Sequence, residues 1–187
     1  MSPIIGREKA ESEAIFEAAR LMLVSARTAP KTAGIDHISA LIIHGNTKDS
    51  IANEMDKTAE ERRMKGFKRD AKNVRDSAAV VLIGVKGRKS AGLNCGACGY
   101  KTCRKFEATQ EKPGRDFAGP TCLFKAVDLG IALGSAAKTA GIFNIDNRIM
   151  YRVGTAALKL KLLPEASVAI GIPISATGKN IYFDRKR

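Results

Sequence analysis

The chain has 187 residues, 44% of them apolar, with four cysteines and no tryptophan; that is the length of one domain with a sizeable core, and no apolar run is long enough for a membrane-spanning helix. Its formal charge of +13 comes from 32 Lys and Arg against 19 Asp and Glu, which invites a nucleic-acid reading. The aromatics are sparse and do not interleave with the basic residues, so no base-stacking surface is expected and the charge reads as a solvated basic face.

In chain order, Ile15, Ala18, Ala19, Met22, Leu23 and Ala26 recur at three- and four-residue spacing, predicting a first helix over Glu8–Ala29 that Pro30 ends. Ile38–Ile43 lies between Gly34 and Gly45 and reads as a buried strand. Asn46 is placed to cap a helix over Asp49–Met64 that stops near Gly66, with a shorter one over Lys68–Ser77. Ala78–Val85 is β-branched and apolar throughout, the pattern of a central strand. Pro113, Gly114, Gly119 and Pro120 give loop chemistry. A nearly all-apolar helix then runs from Leu123 to Gly141 and is expected to be buried, Asp146 is placed to cap a helix through Arg148–Lys161, and Val168–Ile174 is the last strand.

Between the central strand and the apolar helix stand all four cysteines, as Cys95-x2-Cys98-x4-Cys103 and then Cys122. Four thiolates are the full ligand set of a [4Fe–4S] cluster, three from one tight loop and one returning from a distance. Gly96 and Gly99 let such a loop wrap and bring amide N–H groups to the sulfurs. Lys101, Arg104 and Lys105 beside it offset the negative charge a thiolate cluster carries. Structural zinc is the competing reading, but 18 residues separate Cys103 from Cys122 and the two histidines, His37 and His44, lie far upstream. Disulfides are a third; no signal-peptide pattern opens the chain, which reads as cytoplasmic with reduced thiols. His44, at a strand end, is an acid–base candidate whose bland alternative is a structural role. Thr177-Gly178-Lys179-Asn180 reads as a turn.

The segment Ala26-Arg27-Thr28-Ala29-Pro30 followed by the Ile38–Ile43 strand resembles the opening of flavin-dependent nitroreductases. The helix Asp128–Gly141, the Leu163-Pro164 stop and the Val-Ala-Ile-Gly-Ile-Pro strand resemble their far half. With the cysteine run, itself similar to the cluster motif of the B subunit of Rnf-type complexes, the whole chain resembles the small prokaryotic ferredoxin-domain proteins. The resemblance implies an α+β fold, a nitroreductase-like central sheet packed by helices, as one domain over 1–187 with an inserted iron–sulfur segment over 93–122. It implies a homodimer, and an iron–sulfur redox protein passing electrons from a [4Fe–4S] cluster, held by Cys95, Cys98, Cys103 and Cys122, to or from a flavin, a partner protein or a small-molecule substrate. A flavin-free electron carrier and a zinc-stabilised interaction module are the alternatives. The Arg-x-Ser-x-Arg segment that grips FMN phosphate in nitroreductases is missing, with Arg7 alone near that place, so the resemblance turns to Arg27, Lys31, Lys179 and Arg185 as phosphate contacts. For Arg27 and Lys31 the bland alternative is capping a helix C-terminus.

Overall fold

The computed structural model describes residues 4–183. In order these form α1 (Arg7–Thr28), a 3-10 turn (Thr32–Gly34), β1 (Ile38–Ile43), α2 (Gly45–Arg62), α3 (Lys65–Asp76), β2 (Ala79–Val85), α4 (Cys103–Ala108), β3 (Lys112–Pro113), β4 (Ala118–Gly119), α5 (Leu123–Ile142), β5 (Asp146–Asn147), α6 (Tyr151–Lys159) and β6 (Val168–Ser175). One antiparallel sheet carries the order β1-β2-β6-β5, and β3 pairs with β4 in a small ribbon.

The apolar run of β2 explains the layering. A strand with no polar face must be covered on both sides, and all seven residues of β2 are buried. Because side chains alternate along a strand, Ala79, Val81, Ile83 and Val85 enter a core shared with α1 and α5, while Val80 and Leu82 enter a second core shared with α2, α3 and α6. On the first side small residues, Ala18 and Ala19 of α1 and Ala132 and Ala136 of α5, line the packed helices, and the hydroxyls of Ser25 and Thr139 share a 2.6 Å hydrogen bond between them. On the second, α6 rests directly on β6: a Cβ on Gly154 would come within 1.7 Å of the Ala169 carbonyl oxygen.

Three sequence expectations are corrected. α2 stops at Arg63, which takes the left-handed conformation (φ 51°), instead of near Gly66. Gly66 sits in the first turn of α3, where the absent side chain leaves room for the Arg152 guanidinium, 2.9 Å from an added Cβ. That guanidinium stacks on Phe67 and Tyr151 and donates to the buried Asp70. Asp146 caps no helix: it pairs with Ser175 in β5, and α6 begins only at Tyr151, since a free sheet edge satisfies backbone groups more completely than a cap. α5, expected to be buried throughout, leaves Leu123, Val127 and Ile131 about two-fifths exposed or more (46%, 44% and 39%) and buries Lys125 and Asp128 instead. Among the described residues no helix is long and apolar enough to cross a membrane.

Candidate metal centre

Residues 86–122 join β2 to α5 and carry every cysteine. Both ends of this segment are fixed to the sheet. The Cys122 N–H donates to the Gly87 carbonyl at 2.9 Å, and the Gly87 N–H donates to the Ser167 hydroxyl at 3.1 Å. A Cβ on Gly87 would lie 2.7 Å from the Thr121 methyl and 2.6 Å from the Ser167 Oγ, so only glycine lets the strand end and the approach to Cys122 cross this closely.

Within the segment the chain wraps through positive φ at Asn94 (48°), Gly96 (76°) and Gly99 (86°), with the Gly99 N–H bonded to the Gly96 carbonyl at 2.9 Å. Asparagine tolerates that conformation better than most residues. Asn94 then closes the loop reciprocally. Its backbone N–H donates to Cys103 Sγ at 3.3 Å and its side-chain oxygen accepts from the Cys103 N–H at 2.7 Å. Thr102 caps α4 by accepting from the Lys105 N–H.

Beneath the loop is a small apolar floor of Ala91, Phe106 and Cys122, all buried, with Cys98, Tyr100 and Phe124 packed against it. Tyr100 meets Phe106 edge-on at 5.9 Å. Arg88 completes the floor: its guanidinium lies 5.2 Å from the Phe106 ring centre and donates to the carbonyls of Thr109 and, at 3.3 Å, Pro120. One side chain thus holds the end of α4 and the approach to Cys122 together.

The structure therefore packs Cys98 against the floor that contains Cys122, ties Cys103 to Asn94, the residue before Cys95, and leaves Cys95 exposed. Among the described residues no three His, Cys, Asp or Glu side chains lie close enough to share a single metal ion. The donor set itself fits an iron–sulfur cluster: soft thiols alone, an apolar floor, a backbone N–H already on one sulfur, and Cys122 as the N-cap residue of the 20-residue α5, whose positive end favours a thiolate.

Behind Cys122, α5 buries an ion pair. Lys125 Nζ donates to Asp128 Oδ2 at 2.9 Å and to the Ile35 carbonyl at 3.1 Å, while Asp128 Oδ1 accepts from the N–H and hydroxyl of Thr32, each at 2.8 Å. Burial alone would raise the Asp128 carboxyl, but the bonds from Lys125 and Thr32 outweigh it and hold the group below its ordinary range. This network fixes the turn after α1 onto α5, which is why charged residues face inward there. His37 nearby has a buried Nδ1 with no partner. Burial first, then the charges of Lys125, Lys86 and Lys89, hold its pKa below the ordinary value.

The cations named for a flavin phosphate are engaged locally or dispersed. Arg27 pairs with Asp36 at 2.9 Å and donates to the Ile38 carbonyl at 3.0 Å. The Lys31 ammonium sits on the carbonyls of Ala26, Arg27 and Ala29 at the C-terminal end of α1. Lys179 lies in the turn after β6, where its carbonyl accepts from the Thr177 hydroxyl, and Arg185 lies outside the described residues. His44 stands at the start of α2 with its ring 5.2 Å from that of Phe16, edge-on.

Comparison with known proteins gives this geometry a context. Residues 91–109 match a family model described as "Putative Fe-S cluster", and residues 118–185 match one described as "Uncharacterized protein containing a ferredoxin domain". An "Uncharacterized protein" of Archaeoglobus fulgidus is 46% identical over 182 residues, covering 97% of each chain. This chain belongs to the ferredoxin-domain family. Among solved structures, nitroreductase CinD from Lactococcus lactis, in complex with chloramphenicol, superposes with a TM-score of 0.59 at 12% identity over 94% of this chain and 83% of that one. A "putative nitroreductase in complex with fmn" from Desulfovibrio desulfuricans gives 0.55 at 14% identity over 100% and 83%. At such identities the likeness is one of fold: α+β and nitroreductase-like. Motif and family together mark this chain as an iron–sulfur redox protein.

Sequence reasoning about this family member missed four parts of the site. Asn94 and Gly87 adjoin recognisable features, and an asparagine directly before the first cysteine was a readable sign of a left-handed turn. Lys125 and Asp128, three apart in an otherwise apolar helix, were a sign of a buried pair. Nothing local marks Arg88, whose partners lie 21 and 32 residues away.

Proposed function

We propose that the protein is a one-electron carrier in which Cys95, Cys98, Cys103 and Cys122 hold a [4Fe–4S] cluster that exchanges electrons with a partner protein. The observation that carries this reading is the floor where Cys98 and Cys122, distant in sequence, meet Phe106, while Asn94 binds Cys103 back onto the same loop. A bound cluster supplies a site that gains or loses one electron. The chain's own residues supply soft ligands, a backbone N–H toward sulfur, and a low-polarity wall, the features by which proteins set cluster potential. Segment 93–122 is read as the inserted cofactor-binding piece of a single domain.

A second reading adds FMN, favoured by the nitroreductase-like fold. Of the cations named for its phosphate, Arg27 and Lys31 are engaged at the end of α1, so binding FMN there would require them to be released. The exposed Leu123, Val127 and Ile131 on α5 and Leu21 and Val24 on α1 support a homodimer that covers them. The deciding experiment is anaerobic purification followed by iron, sulfide, zinc and flavin analysis, with light scattering on the same sample. Four iron and four sulfide per chain without flavin is the expected result, and each single Cys→Ser variant should lose most of its iron. Stoichiometric zinc without sulfide would overturn the reading; stoichiometric flavin beside the cluster would select the second.

A further inference from the structure

The charge of this protein is unevenly used. Many Lys and Arg meet carboxylates, as in Arg7–Glu11, Lys9–Glu13, Lys72–Asp76, Arg75–Asp56 and Lys86–Glu165, while others, such as Arg63, Lys65 and Lys68, make no ion pair among the described residues. Between residues 86 and 112 there are seven Lys and Arg against two Glu. Of the two, Glu107 is held by the Ser90 N–H and Glu111 faces Arg88. Lys101, Arg104 and Lys105 are exposed and make no ion pair among the described residues. They share their loop with a small apolar point. The bonds between Asn94 and Cys103 bring Leu93 and Cys95, which flank the first, beside Thr102 and Arg104, which flank the second; Leu93 is 50% exposed and Cys95 is exposed.

We propose that this face, Leu93 and Cys95 with Arg104 beside them and the exposed Lys101 and Lys105 in the same loop, is the docking surface for an acidic electron-carrier protein. The proposal rests on the iron–sulfur reading above and adds the class of partner. Redox encounters use small interfaces, below about 1,200 Å², in which opposite charge speeds association far more than it deepens binding. An apolar point at the exposed thiol of Cys95, with unneutralised cations on the same loop, meets both requirements. The electron balance is simple. A reduced carrier loses one electron, the iron–sulfur centre of this protein gains it, and no proton or atom moves.

The test uses the anaerobically purified full chain with its cluster. Its reduction is followed by stopped flow with two reductants, a reduced acidic [2Fe–2S] ferredoxin as probe and, as uncharged control, a viologen carrying one sulfonate, which is net neutral as the reducing radical. The ferredoxin rate constant should fall on the order of tenfold between low and physiological salt, since steering is screened, while the viologen rate stays flat. In protein that retains its iron, replacing all three cations (K101Q/R104Q/K105Q) should slow the ferredoxin at least about tenfold more than it slows the viologen. A clustered protein whose ferredoxin rate ignores both salt and substitution would overturn the docking surface alone. A protein that retains no iron would overturn this proposal and the reading beneath it together.

Discussion

From Ala79 to Val85 the chain buries every residue, on both faces of a strand; from Lys86 to Thr121 it buries Gly87, Ala91 and Phe106. The two stretches are held by different physics. β2 lies between two helical layers and is stabilised by apolar area removed from water, which is non-directional and tolerant of small shifts. The cysteine segment has almost no such area and is held at points instead: Gly87 to Cys122 and Ser167, Asn94 to Cys103, and Arg88 to Thr109 and Pro120. The sheet and its helices can be stable whatever occupies the thiols, whereas the segment depends on a few directed bonds and gains most from a cofactor that cross-links it.

The sharpest way to break the contrast is at α5, which belongs to both regions. Asp128→Ala leaves the Lys125 ammonium buried without its carboxylate, and the loss of stability should be about 3–5 kcal/mol by chemical denaturation. Lys125→Met/Asp128→Leu removes both charges and should recover most of that loss; failure to recover would mean that the bonds to Thr32 and Ile35, rather than the burial of charge, dominate. A smaller effect is expected at Arg88. Removing its side chain deletes charge-assisted bonds worth on the order of 2 kcal/mol, and the consequence should be local. In Arg88→Ala, amide exchange should quicken over residues 103–109 while that of β2 is unchanged. Equal acceleration in both would show that the segment and the sheet unfold as one unit.

The smallest effect is with pH. The folded-state pKa values of His37 and Asp128 are both lowered, so each contributes stability that is complete above its unfolded value and declines with acidification, as the unfolded chain takes up the proton more readily. For His37 the decline begins below about pH 6.5, and for Asp128 below about pH 4. The unfolding midpoint should therefore fall in two stages. His37→Gln should remove the first and leave the second; a midpoint flat from pH 7 to pH 5 in the unaltered protein would show that His37 is solvated in the folded state.

The same division governs what was legible before the fold was known. β1, β2, β6, α1 and α5 follow their sequence patterns to within a residue or two, because burial writes itself as periodicity. The cysteines of the matched Fe-S segment stood out because their spacing is that of a cluster motif. Local rules failed where a distant partner offered more than a local one. Asp146 preferred a sheet edge to a cap, Gly66 made room for Arg152 instead of ending a helix, and Leu123, Val127 and Ile131 stayed at the surface because the opposite face of α5 was committed to Lys125 and Asp128. The sequence by itself determined the sheet's strands, its principal helices and the ligand chemistry of the thiols, all of which depend on residue type and near spacing. Tertiary structure decided which thiols are buried, which cations stay unpaired and that Arg88 joins the end of α4 to the approach to Cys122, because those depend on groups brought near only when the chain closes.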